Sequence, residues 1–64
     1  MSYKPEMFVQ GEWCSNQLRF ATEEEAKSSA KALFMRWTLP EKWRVSESDD
    51  PVNYKWENGR EVAL

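Results

Sequence analysis

The chain contains one thiol, Cys14, and no histidine. A reactive thiolate needs a neighbouring base or cation to hold its charge. With no His to serve, Cys14 reads as a small edge residue on the sheet face away from the helix. The same absence removes the commonest general base and the commonest metal ligand. A single Cys makes neither an internal disulfide nor a zinc cluster. Glu47, Asp49 and Asp50 gather before Pro51. A hard cation needs several oxygen ligands at designed spacing, and the EF-hand pattern with its central Gly and final Glu is absent. Catalysis by paired carboxylates needs a cleft, and a chain of 64 residues has little wall to build one. The expectation is a non-enzymatic protein with no cofactor and no metal.

Positioning any functional surface requires a core, and in so short a chain that core must be aromatic. Four Trp, three Phe and two Tyr are present. Their burial offsets much of the conformational entropy that a small domain loses on folding. One domain, residues 1–64, is all the length allows. Nine basic and eleven acidic side chains leave a net charge of −2, with the acidic excess in residues 41–64. No basic surplus advertises nucleic acid. The polar start Met1-Ser2-Tyr3-Lys4-Pro5-Glu6 lacks the apolar run of a signal peptide, and Ala32 to Met35 is too short to cross a bilayer. A cytoplasmic location and no membrane association are expected.

One helix is clearly marked. Thr22 and Glu25 form a capping box, and Glu23-Glu24-Glu25 set negative charge against the positive end of the helix dipole. Ala26, Ala30, Leu33, Phe34 and Trp37 fall on one stripe about 100° wide. Pro40 requires the helix to end near Trp37 or Thr38. Beyond it the period becomes two: Trp43 with Val45, then Val52, Tyr54 and Trp56. Ser48-Asp49-Asp50-Pro51 reads as the turn of a hairpin that pairs Val45 with Tyr54 and Trp43 with Trp56. Asn58-Gly59 marks a second turn. A three-residue loop there keeps Tyr54 opposite Val62 and is preferred to a two-residue loop. Before the helix, Met7 to Cys14 and Leu18 to Phe20 alternate, and a turn at Asn16-Gln17 pairs Trp13 with Phe20. The fold class is α+β: one helix on one face of a small antiparallel sheet, in ββαβββ order with three to five strands.

In this arrangement Trp37, Trp43 and Trp56 belong to the core. The outer sheet face displays Phe8, Gln10, Glu12, Cys14, Arg19, Arg44, Ser46, Asn53, Lys55, Glu61 and Ala63. Arg19, Arg44 and Lys55, with Asn53 among them, form a candidate partner-binding cluster. A sheet face left bare by helices is either solvated or a docking surface. Met35 points about 180° from the helix stripe and is a candidate contact for a partner or a second copy. The C-terminal sheet edge near Leu64 is a further candidate surface.

Several of these pieces recur together: Asn16-x-Leu18-Arg19-Phe20-x-Thr22-x-x-Glu25-Ala26, Arg36-Trp37, and Arg44-Val45-x-x-Ser48-x-x-Pro51-Val52-Asn53-Tyr54. This string resembles a set of short uncharacterised proteins encoded by bacteriophages and prophages, over roughly residues 13 to 56. The resemblance implies a viral origin and a location in the host cytoplasm. It transfers no activity and no catalytic residue. The combined expectation is a small interaction protein that binds a host or viral protein. Nucleic-acid binding by the same face is one alternative and a structural homodimer another, the chain itself being monomer or homodimer.

Overall fold

A computed structural model describes residues 1–64. The chain forms β1 (Ser2–Val9), β2 (Glu12–Ser15), α1 (Glu23–Arg36), β3 (Lys42–Ser48), β4 (Tyr54–Glu57) and β5 (Arg60–Ala63). The ββαβββ order and the α+β class are those expected. β1 is the central strand of a three-stranded antiparallel sheet in the order β2-β1-β3, and β4 and β5 pair as a separate hairpin.

Both hairpins close with two-residue turns. Gln10 and Gly11 have φ of 50° and 83°, and Asn58 and Gly59 have φ of 53° and 80°. Positive φ at both central positions is the mark of a type I′ turn, whose twist matches that of the strands it joins. Glycine at the second position carries the larger positive φ without a Cβ clash. The first turn sets Phe8 opposite Trp13 and Met7 opposite Cys14. The expected Asn16-Gln17 turn and the Trp13–Phe20 pair are therefore corrected. The second turn sets Trp56 opposite Glu61 and Lys55 opposite Val62. The preferred three-residue register is corrected to the two-residue one.

The expected hairpin across Ser48-Asp49-Asp50-Pro51 does not form. Residues 42–48 pair instead with β1, from Phe8↔Lys42 to Ser2↔Ser48. The chain thus leaves β2, crosses as α1, and returns on the far side of β1. Pro5 lies within this central strand for a legible reason. Tyr3 exchanges both of its backbone hydrogen bonds with Phe20, at 2.8 Å each. Backbone groups alternate in direction along a strand, so the Pro5 nitrogen faces that same side. There β2 has ended at Ser15, opposite Glu6, and no partner strand is left wanting a donor.

Arg19 and Phe20 join the two sheets. Phe20 is fully buried and bridges to Tyr3. The Arg19 carbonyl accepts from the Asn53 and Tyr54 N–H groups, at 3.0 and 3.2 Å. Asn53 completes the joint: its Oδ1 accepts from Arg19 N at 2.8 Å, and its Nδ2 donates to the Gln17 carbonyl at 2.8 Å. The Arg19 guanidinium donates to Asp50 Oδ2 at 2.9 Å and to the Asn16 and Leu18 carbonyls.

Thr22 is the N-cap as expected, but the capping box is corrected: Glu25 bonds the Thr22 hydroxyl and Trp56 N rather than the Thr22 backbone N–H. Thr22 accepts from Glu25 N through its hydroxyl, which also donates to the Glu25 carboxylate. The other Glu25 oxygen accepts from Trp56 N at 2.9 Å, and Glu61 accepts from the Ser29 hydroxyl at 3.0 Å. These two bonds fix the β4–β5 hairpin to the helix. The buried stripe is Ala26, Ser29 and Ala30, packed with Phe20 and Met7 in the core. Small helix residues let the backbone approach the sheet closely. Trp37 is corrected from core to cap: the helix ends at Arg36, and Trp37 is extended and 38% exposed. Trp43 and Trp56 lie on helix-side faces but are only half-buried and do not pair with each other.

The joint gives a test. Asn53→Ala removes the two side-chain hydrogen bonds without touching the core. Urea unfolding should show a loss of about 1–2 kcal/mol, whereas Asn53→Asp, which keeps the acceptor for Arg19 N, should lose less.

Candidate functional site

The face of the three-stranded sheet opposite α1 is set by the first turn. With Phe8 opposite Trp13, and Lys42, Arg44 and Ser46 opposite Phe8, Glu6 and Lys4, these seven side chains share one side. No helix covers it. The rings of Phe8 and Trp13 meet edge to face, with centroids 5.1 Å apart and planes at 61°. The Lys42 ammonium lies 4.7 Å from the Phe8 centroid and 5.7 Å from that of Trp13. The Arg44 guanidinium stacks 4.0 Å from the Trp13 centroid. Each cation is held by the negative face of an aromatic ring.

Glu6 anchors this arrangement. Its residue is 8% exposed. One carboxylate oxygen accepts from Arg44 Nε at 2.7 Å and also from the Ser46 hydroxyl. Its other oxygen lies 3.9 Å from Lys4 Nζ. Burial alone pushes the Glu6 carboxyl up. The hydrogen bonds from Ser46 and Arg44, with the charges of Arg44 and Lys4, outweigh that and hold it below its ordinary value of 4.5. Glu6 therefore stays ionised, orients Arg44 over Trp13 and partly neutralises Arg44 and Lys4. Lys42 differs: no carboxylate lies within ion-pair distance of it. It is a cation positioned by aromatic rings with its charge uncompensated.

The sequence-derived candidates separate. Arg44 lies at the centre of this face. Arg19 and Asn53 are together, but in the joint, where their polar groups are engaged within the chain. The hydrogen bonds from Arg19 and Ser48 hold the Asp50 carboxyl below its ordinary range. Lys55 is on the outward side of the β4–β5 hairpin, 3.4 Å from Glu57. Met35 is 77% exposed on the helix side away from the sheet, as expected. The expected cluster of Arg19, Arg44 and Lys55 is thus replaced by Arg44 with Lys42, Phe8 and Trp13. Of the expected outer residues, Phe8, Arg44 and Ser46 are in place. Glu12 and Cys14 are moved to the helix side by the two-residue turn, and Glu61 faces Ser29. The missed signal was Gly11 itself: a turn at Gln10-Gly11 would have paired the two aromatics.

Cys14 borders an apolar groove of about 210 Å³, formed with Pro5, Met7, Leu33 and Trp37 between β2 and the end of α1. Its thiol has no basic partner among the groove residues. Glu47, Asp49 and Asp50 do not converge, since Asp50 turns toward Arg19 and Ser48. No helix is long and apolar enough to cross a membrane. No family model, curated protein or solved structure matches the chain.

Because the Glu6 pKa is lowered by folding, its contribution is full above the unfolded value and is lost as pH falls through the folded one. The difference in urea midpoint between wild type and Glu6→Gln should be constant from neutrality down to about pH 5 and shrink below 4.5. A difference that does not change with acid would show that the ionised carboxylate contributes nothing.

Proposed function

We propose that this chain is a small non-enzymatic binding module that docks a host or viral protein through the open face of its three-stranded sheet, in the host cytoplasm if the phage resemblance reflects its origin. The observation that carries this reading is Lys42, pinned beside Phe8 and Trp13 without a carboxylate of its own. A side chain already held in place loses little freedom when a partner engages it. Aromatic surface next to a positioned cation is the composition of protein-interface anchors, where Trp and Arg dominate. The face carries Lys4, Lys42 and Arg44 against the single carboxylate of Glu6, so its local charge opposes the −2 of the whole chain. An acidic partner surface fits it.

Two features weigh against nucleic acid as the partner. Arg44 already covers Trp13, where a base would stack, and its charge is committed to Glu6. That leaves Lys42 as the one uncompensated cation on the face, few for a binding mode built on neutralising phosphates.

Affinity capture from host cells tests the reading, with Lys42→Glu and the distant hairpin variant Arg60→Glu as comparisons. A stoichiometric protein should be retained by wild type and Arg60→Glu and lost from Lys42→Glu, with all three giving the same circular dichroism. Equal retention by Lys42→Glu would move the contact elsewhere. Binding of a labelled single strand at about 50 mM salt that weakens steeply as salt rises would assign the face to nucleic acid instead.

A further inference from the structure

β3 is an edge strand: it pairs with β1 on one side and with nothing on the other. Which of its backbone groups are free follows from Tyr3. Tyr3 spends both backbone groups on Phe20, on the side away from β3. Its β3 neighbour Glu47 therefore makes no ladder bonds to it, and alternation sets Trp43, Val45 and Glu47 with N–H and C=O directed outward. No side chain of the protein caps these groups. An exposed edge of this kind is a template for a further strand.

We propose that this edge is completed by the β3 of a second copy, antiparallel and centred on Val45, so that two three-stranded sheets become one continuous sheet. The order of residues in β3 argues for a self-partner. Pairing about Val45 sets it opposite its own symmetry mate, an outward-bonded position, so each outward residue exchanges two hydrogen bonds with its opposite. Lys42 then meets Ser48, Trp43 meets Glu47, and Arg44 meets Ser46. No like charges stand directly opposite each other, the arrangement that destabilises paired strands. The two Arg44 side chains meet only on the diagonal, and each carries its own Glu6 counter-charge at 2.7 Å. The contact is isologous and closes as a dimer rather than growing into a fibre. It leaves the two aromatic–cation faces side by side on one surface. Lys42 and its symmetry mate are separated by about 20 Å along the strands. The dimer is a separate matter from the identity of the partner that this surface binds.

Sedimentation equilibrium of the full chain over a wide concentration range tests the proposal. Wild type should show a reversible monomer–dimer equilibrium. Val45→Pro removes the outward N–H at the centre of the contact, leaves the β1 ladder intact, and should remain monomeric. Because Pro in a strand can perturb folding, a charge exchange supplies the decisive arm. Ser48→Lys places like charge opposite Lys42 of the second copy and should weaken association by about tenfold or more. Adding Lys42→Glu to that variant should restore it. A wild type that is monomeric at every concentration would overturn the proposal. So would a dimer indifferent to Ser48→Lys, or one that Lys42→Glu does not rescue.

Discussion

The fold depends on the backbone of Arg19 and Phe20. In a chain with few fully buried side chains, this dipeptide ties three distant segments together. Phe20 bonds Tyr3 in both directions, and Arg19 accepts from Asn53 and Tyr54. The Phe20 ring is meanwhile fully buried in the core. Hydrogen bonds and apolar burial therefore act at one place, where each excludes water from the other. Without this joint, only two side-chain bonds to the helix would hold β4 and β5, and a two-stranded hairpin on its own is marginally stable at best in water. With it, they close over the helix through Glu25 and Glu61.

The same constraint explains why one sheet face is open. A single helix of fourteen residues can cover only one side of the three-stranded sheet, and the β4–β5 hairpin is drawn toward that helix as well. The opposite side must then be stabilised without a covering layer. It is: cations lie over aromatic rings, and a shielded carboxylate fixes one of them. Such packing protects Phe8 and Trp13 from water while keeping them at the surface. It is a face that keeps its aromatic area at the surface, packed against cations rather than under a covering layer.

The helix was legible because its determinants are local: Thr22, Glu23-Glu24-Glu25 and the apolar stripe lie within a few turns of each other, although burial centres on Ala26, Ser29 and Ala30 and leaves Leu33 and Phe34 only half-buried. The α+β class followed from the switch in period after Pro40. Strand partnership was not legible, because nothing near residues 42–48 in sequence specifies Ser2 to Phe8 as their neighbour. Ser48-Asp49-Asp50-Pro51 has turn chemistry, but here it ends a strand and supplies Asp50 to Arg19. The Asn58-Gly59 turn was placed correctly and its register was not, because Glu61 looked like a solvent residue. Its bond to Ser29 on the helix reverses that. The candidate site suffered most from one unread turn. Gln10 lacks the usual turn signature of Asn or Asp, and a shift at that point exchanges every side chain of β2 between faces. Arg44 was placed on the open face, whereas Trp13 and Lys42 were not.

Amide hydrogen exchange at Tyr3, Phe20, Asn53 and Tyr54 tests the joint most directly. If Arg19 and Phe20 unite both sheets, these four N–H groups open only in global unfolding, with one common protection free energy that falls together in Asn53→Ala. Asn53 and Tyr54 exchanging much faster than Tyr3 and Phe20 would contradict the account. The hairpin would then be a separately fraying unit, not a part of the cooperative fold.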